Sequence, residues 1–206
     1  MADLCKGSAQ RWGFSLTKKI VVDGAGGHGK SVADLLLLQN EYELIGFVDD
    51  AYPSVSEVWG FPVLGKVAAE TFSSLQGNAE CFVVAIGNNE LRESIFKLID
   101  RLGLNLPSIV HPKAFVSSRV MIGKGCMVMA NAVIGTEAKL GDGVIVNSGA
   151  IVDHHAVVDD FGHLGVNASM AGGGRLGRSA WAQAGVALGY GVSIPSKQIL
   201  KPGESR

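Results

Sequence analysis

From Val116 to Leu200 an apolar residue returns at every sixth position: Val116, Ile122, Val128, Ile134, Leu140, Val146, Val152, Val158, Leu164, Met170, Leu176, Ala182, Leu188, Ile194 and Leu200. Thirteen of these fifteen are Val, Ile or Leu, and no insertion breaks the run. Four positions after each comes a small or β-branched residue, as at Cys126, Ala132, Ala138, Val144, Ala150, Ala156, Ala168, Ala180 and Val186. A helix repeats at about 3.6 residues and a half-buried strand at about 2, so a period of six is neither. It describes short flat strands meeting at corners, each face burying one aliphatic side chain. Three faces of six residues close an 18-residue coil, and stacked coils pair by parallel backbone hydrogen bonds.

Ahead of the repeat the pattern changes. "IVVDGAGGHGKSVADLLLLQN" reads as a strand, a glycine turn and a helix, and "YELIGFVDD" as a second strand. "AECFVVAIGNN" is a third strand, "NELRESIFKLIDRLG" an amphipathic helix, and "LPSIVHP" a short fourth strand leading into the coil. This is half of a doubly wound α/β domain. The expected division is an extension or linker over 1–18, a Rossmann-like nucleotide-sugar domain over 19–110, and a left-handed parallel β-helix over 111–206. Gly24-x-Gly26-x-x-Gly29 sits in the strand-to-helix context that phosphate binding requires, where small residues admit phosphate oxygens and the helix start offers N–H donors. Asp49 and Asp50 follow about twenty residues later, where an acid can bind a ribose hydroxyl. One mononucleotide half fits a nucleoside diphosphate better than a dinucleotide. The candidate substrate contacts are Gly26, His28, Gly29, Lys30, Asp49 and Asp50, with His28 and Lys30 placed to neutralise the diphosphate. A plain βα turn and a solvated lysine are the alternatives.

Composition narrows the classes. A formal charge of -1 gives no field to hold nucleic acid or an anionic membrane. The N-terminal residues lack the apolar core of a signal peptide, and no run approaches the roughly 18 apolar residues of a membrane span, so a cytoplasmic protein is expected. Cys5, Cys81 and Cys126 have no metal-type spacing, and the latter two sit in apolar runs as buried thiols. The 28 glycines in 206 residues, about twice the usual share, match the many corners the repeat demands.

The order "GAGGHGK", "GFVDD", "AIGNN", "IVHP" and then repeats carrying "VNSGAIVDHHAVVDDFGHLG" resembles the hexapeptide-repeat sugar acetyltransferases of the sialic acid and bacillosamine pathways, above all those acting on UDP-4-amino-sugars. The resemblance runs from Lys19 to Leu200. It implies an acetyl-CoA-dependent N-acetyltransferase, a homotrimer with sites at subunit interfaces and, in some relatives, an upstream sugar-phosphate transferase domain. It also implies roles: His154 as general base, Asn147 near the amine, His163 near the thioester, and backbone at Gly172, with Gly173 beside it, against acetyl-CoA. The family's acid normally follows the base, yet His155 stands there, so His155 itself or an acid such as Asp159 or Asp160 is left to orient His154.

Spacing adds to this. His154 falls at a corner, His163 lies half a coil on, and Gly172 is one coil above His154, leaving a slot beside the base. His163 and His154 then need a bend or a neighbouring subunit to meet. His111 in "VHP" reads as a domain junction. O-acetylation of sialic acid and a trimeric binding scaffold are the competing readings; zinc chemistry is disfavoured because His154, His155 and His163 lack ligand spacing.

Overall fold

The computed structural model describes residues 17–206, so the extension and Cys5 lie largely outside the described residues. The N-terminal unit contains β1 (Lys18–Asp23), α1 (Gly27–Leu37), β2 (Tyr42–Val48), β3 (Glu57–Val58), β4 (Phe61–Pro62), α2 (Ala69–Leu75), β5 (Cys81–Val84) and α3 (Asn89–Arg101). Its parallel sheet has the order β2-β1-β5, with α1 as the crossover from β1 to β2. The β3–β4 hairpin and α2 escaped the sequence pattern because elements of two and seven residues carry no readable period. Cys81 and Cys126 are buried and reduced, as expected.

Sixteen two-residue strands follow at six-residue intervals, from β6 (Ile109–Val110) to β21 (Ile199–Leu200). They stack into three parallel sheets, of order β6-β9-β12-β15-β18-β21, β7-β10-β13-β16-β19 and β8-β11-β14-β17-β20, where every pair is separated by 18 residues. The Rossmann-like half followed by a parallel solenoid of about five turns is the architecture the period of six implies. The segment "LPSIVHP" is the exception. Its strand β6 pairs with β9 (Met127–Val128), so it is the first rung of the coil and not a fourth strand of the N-terminal sheet.

The solenoid interior is the apolar column of the sequence pattern, with Val128, Ile134, Val146, Val152, Val158, Leu164, Met170 and Leu176 fully buried beside the small residues Ala132, Ala138, Ala150 and Ala156. Every sixth residue from Gly125 to Gly203 turns a corner with φ between 53° and 71°. That left-handed geometry costs an L-residue roughly 1–2 kcal/mol, which explains the glycine excess.

The three faces differ outwardly. On the face holding β6, β9, β12 (Ile145–Val146) and β15 (His163–Leu164), the outward Ile109, Met127, Ile145 and His163 are buried beneath the N-terminal unit. Outward Phe115, Met121, Val133 and Ile151 on the other two faces stay exposed. α3 fastens the cap. Arg92, fully buried, donates to the carbonyls of Gly143 (2.8 Å), Phe161 (2.7 Å) and Ile86 (2.9 Å) and to Asn89 Oδ1 (2.8 Å). Asn89 donates to Ser179 O at 2.9 Å, and Arg178 pairs with Glu93 at 2.7 Å.

Two histidines share this junction. Burial, reinforced by the Arg92 charge, lowers His163 to about 3 and His28 to about 4.

Arg92→Met leaves several buried carbonyls without a donor and is expected to cost about 3 kcal/mol or more, read as a lowered urea midpoint. The histidines set an acid limit. The unfolded chain takes up their protons below about pH 6.5 while the fold does not, so stability is complete above 6.5 and falls as pH drops toward 4. Each histidine contributes a slope of up to about 1.4 kcal/mol per pH unit, and the stability of His163→Gln is expected to vary less with pH than that of the parent over that window.

Candidate functional site

His154 and His155 occupy the corner between β13 (Ile151–Val152) and β14 (Val157–Val158), away from the capped face. Asp153 opens that corner and spends Oδ1 on the His154 N–H at 2.7 Å, while its Oδ2 stays 3.9 Å from His154 Nε2, too far for a hydrogen bond. The two imidazoles meet at Nδ1···Nδ1, 2.9 Å apart, with rings nearly perpendicular. One coil below, Glu137 Oε2 lies 3.0 Å from His155 Nε2. One coil above, Gly172 covers His154 so closely that a Cβ there would fall 2.5 Å from Nε2 and 3.0 Å from Nδ1. Tyr190, one coil higher still and exposed, tilts over the His154 ring with centroids 6.0 Å apart.

His154 and Gly172 are therefore stacked neighbours, as the 18-residue spacing led one to expect, and the imidazole fills the space beside the glycine. Asp159 and Asp160 do not serve the base. They stand at the next corner, where Asp159 takes a bidentate pair from Arg175 at 2.9 and 3.0 Å and Asp160 accepts from Arg178 at 2.6 Å and from the Asp142 N–H at 3.0 Å. Glu137 and Tyr190 escaped the sequence reading, because each is joined to the histidines only through the coil register.

His163 lies on the capped face. Its ring stacks on Trp181 with centroids 5.1 Å apart and 9° between planes, and Nδ1 faces Gly87 O at 3.3 Å. The Nε2 atoms of His163 and His28 and the Nε1 of Trp181 are buried without a partner. Beside Trp181 a cleft opens between Asn88, Asn89, Ser179 and Lys197. Asn147 sits at the corner leaving this face, where its Oδ1 accepts the Ser148 N–H at 2.8 Å. Within one chain, Asn147 and His163 are thus separated from His154 by a whole face of the prism. His111 is a junction residue, buried, with Nδ1 accepting the Lys113 N–H at 2.9 Å.

The glycine loop divides by role. Gly29 is buried against Gly24, where a Cβ would collide with the turn's own backbone, so its function is to close the turn and not to meet a ligand. Gly26 and Gly27 face open space, and α1 begins without a side-chain cap, leaving its first N–H groups free. His28, expected to counter a diphosphate, is held neutral by burial, so the positive charge at this helix start comes from exposed Lys30 and the helix dipole. Asp49 spends one oxygen on the Ala25 N–H (2.7 Å) and the other on the Ala51 N–H (2.8 Å), which ties the glycine loop to β2. Asp50 accepts from the Val67 N–H at 3.0 Å. Both acids line a cleft with Asp23, whose buried carboxyl is pushed well above its usual range by desolvation and by the two neighbouring acids. Among the described residues no group of three or more His, Cys, Asp or Glu side chains is arranged to hold a metal ion, and no helix is long and apolar enough to cross a membrane.

Comparison with known proteins agrees with this layout. The PglD N-terminal domain family matches residues 19–99, and the bacterial transferase hexapeptide family matches residues 109–158. The acetyltransferase domain of PglB from Neisseria gonorrhoeae is 37% identical and superposes with a TM-score of 0.86 over 92% of this chain and 91% of that one; it has also been solved in complex with acetyl coenzyme A. Perosamine N-acetyltransferase from Caulobacter crescentus, solved with CoA and GDP-perosamine, is 33% identical with a TM-score of 0.86 over 91% of this chain and 88% of that one. UDP-N-acetylbacillosamine N-acetyltransferase from Bacillus subtilis is 30% identical over 118 residues, which span 55% of this chain and about half, 52%, of the relative. With a matching cap, a matching coil and near-complete overlap with solved members, the chain belongs to the family of hexapeptide-repeat sugar N-acetyltransferases that carry a PglD-type N-terminal domain.

Proposed function

We propose that the chain transfers the acetyl group of acetyl-CoA to the amine of a nucleotide-linked 4-amino-sugar, of the UDP-linked bacillosamine type, and that its sites form between the subunits of a homotrimer. The observation that carries this reading is the His154 ring packed directly against Gly172, where only a residue without a side chain leaves the imidazole its place. His154 Nε2 takes the proton that the attacking amine must lose. The carbon–nitrogen bond forms, the carbon–sulfur bond breaks, and His154 returns its proton to the departing CoA sulfur. The Gly172 N–H makes none of the backbone bonds that tie the coils together, which leaves it free for the thioester oxygen.

The remaining parts fit the same chemistry. Gly173 and the exposed Tyr190 continue the corner above His154, giving a long thin acyl carrier a path past the base. Gly26, Lys30 and the start of α1 offer a diphosphate its donors, with Asp50 beside them for the ribose. A neighbouring subunit that set its uncovered corner against the capped face would bring His154 to Asn147, His163 and the cleft beside Trp181, on the face that also holds the unpartnered ring nitrogens. Because acetyl-CoA is a cytoplasmic metabolite, the reaction is assigned to the cytoplasm.

Free thiol release from acetyl-CoA in the presence of a UDP- or GDP-linked 4-amino-sugar tests the reading; release with sialic acid alone would replace it with O-acetylation, and release with none would favour a binding scaffold. His154→Ala is expected to lower turnover at least about a hundredfold with both substrates still bound. Gly172→Val drives a side chain into the His154 ring and is expected to lower kcat about tenfold or more as well as raise KM for acetyl-CoA, while the circular dichroism melt stays near that of the parent.

A further inference from the structure

The family's acid is missing from the position after the base, yet the structure supplies a carboxylate by another route. We propose that Glu137 is the orienting acid of this enzyme and acts on His154 through His155, so that an ion-pair contact from Glu137 to His155 and a hydrogen bond between the two histidines form one relay spanning two coils. The proposal rests on the reading of His154 as the base.

The contacts favour one direction for each proton. A carboxylate accepts and does not donate, so the 3.0 Å ion-pair contact with Glu137 Oε2 favours a proton on His155 Nε2. The neutral His155 ring then has a bare Nδ1, and the 2.9 Å contact makes His154 Nδ1–H the donor to it. His154 is left with its lone pair on Nε2, the nitrogen beneath Gly172. Without a fixed acceptor at Nδ1 the ring could carry its proton on either nitrogen, and the Nδ1-bare tautomer is useless as a base on the Gly172 side. Asp153 is no substitute, since its nearer oxygen is bound to backbone and its other oxygen lies 3.9 Å from Nε2.

Backbone strain supports the assignment. Glu137 and His155 both occupy left-handed corner positions, with φ of 58° and 60°. In the two coils above, the same column holds Gly173 and Gly191, which adopt that conformation freely. Two bulky residues in consecutive strained positions are retained here because they reach each other. The charged groups facing them are few: Asp153 and His154 share the corner, Arg119 and Lys139 line the same hollow on the lower coils, and Tyr190 tilts over His154 from above. Glu137 and His155 are positioning residues; only His154 meets substrate.

The test exploits the family's own arrangement. Glu137→Gln is expected to lower kcat about tenfold to a hundredfold with KM for acetyl-CoA nearly unchanged. His155→Glu places a carboxylate directly on His154, and in that background Glu137→Gln is expected to cost less than about twofold, because the relay has been bypassed. An equal loss in both backgrounds, or no loss in the parent, overturns the relay. A second measurement needs no turnover. Proton–nitrogen correlation NMR of histidine-labelled protein is expected to show His154 protonated on Nδ1 in the parent and a tautomer mixture in Glu137→Gln. A tautomer unaffected by Glu137→Gln rejects the relay even if no sugar substrate is found, whereas a shifted tautomer without turnover rejects only the substrate reading.

Discussion

The whole molecule depends on the register of the parallel ladder, in which each two-residue strand pairs with the strand 18 residues on. Because the coil never inserts or deletes a residue, side chains 18 apart are stacked neighbours, and contacts form as columns along the prism. The corner column from Glu137 through His155 to Gly173, the adjacent column of His154, Gly172 and Tyr190, and the stack of His163 on Trp181 all obey the same rule. An insertion between residues 137 and 154 would rotate His154 and His155 away from Glu137, and one between 155 and 172 would rotate His154 away from Gly172. The backbone hydrogen bonds that build the fold are therefore the same ones that align the corner holding His154 and His155.

Left-handed corners impose a second constraint, and the exceptions to glycine show where it is overridden. Phe161 stands at one and packs edge-on against Phe96 at 5.3 Å, with the Arg178 guanidinium 5.1 Å above its ring. Ser179 stands at another and donates to Glu93 at 3.2 Å. Both lie where α3 is fastened to the coil, so their strain is offset by joining two units. Glu137 and His155 are on the opposite side, where no such junction exists, and the contact they gain is with each other and with His154.

How much of this could be read from the chain follows from the range of each interaction. The period of six and the strand–glycine–helix opening are local patterns, and both units were legible, as was the coincidence of His154 with Gly172 one coil above. Burial is not local. His28 reads as a cation beside a phosphate loop, yet packing under the cap near Arg92 keeps it neutral. Gly29 and Asp49 read as ligand contacts, but the turn needs the first for closure and the second to hold Ala25. Asp159 and Asp160, the acids the sequence offers near His154 beside His155, are five and six residues away in sequence and one whole corner away in space. Glu137 was the better choice by register alone, since 137 and 155 differ by one coil.

The prism has three faces, and the N-terminal unit covers only one. His154 stands between the two that stay open, while the cap, the cleft beside Trp181 and the unpartnered nitrogens of His28 and His163 belong to the third. No bending of a rigid stack of coils can close that distance, because every rung is fixed by hydrogen bonds on both sides. A second copy solves the geometry without deformation. Its capped face can meet the open corner of the first, and three copies arranged about an axis parallel to the coils repeat the same contact until it closes. The exposed Phe115, Val133 and Ile151, stacked 18 residues apart on one open face, supply apolar surface for that approach. In the proposed trimer the corner that holds His154 and the N-terminal cap are two halves of one site, which the fold of a single chain keeps apart.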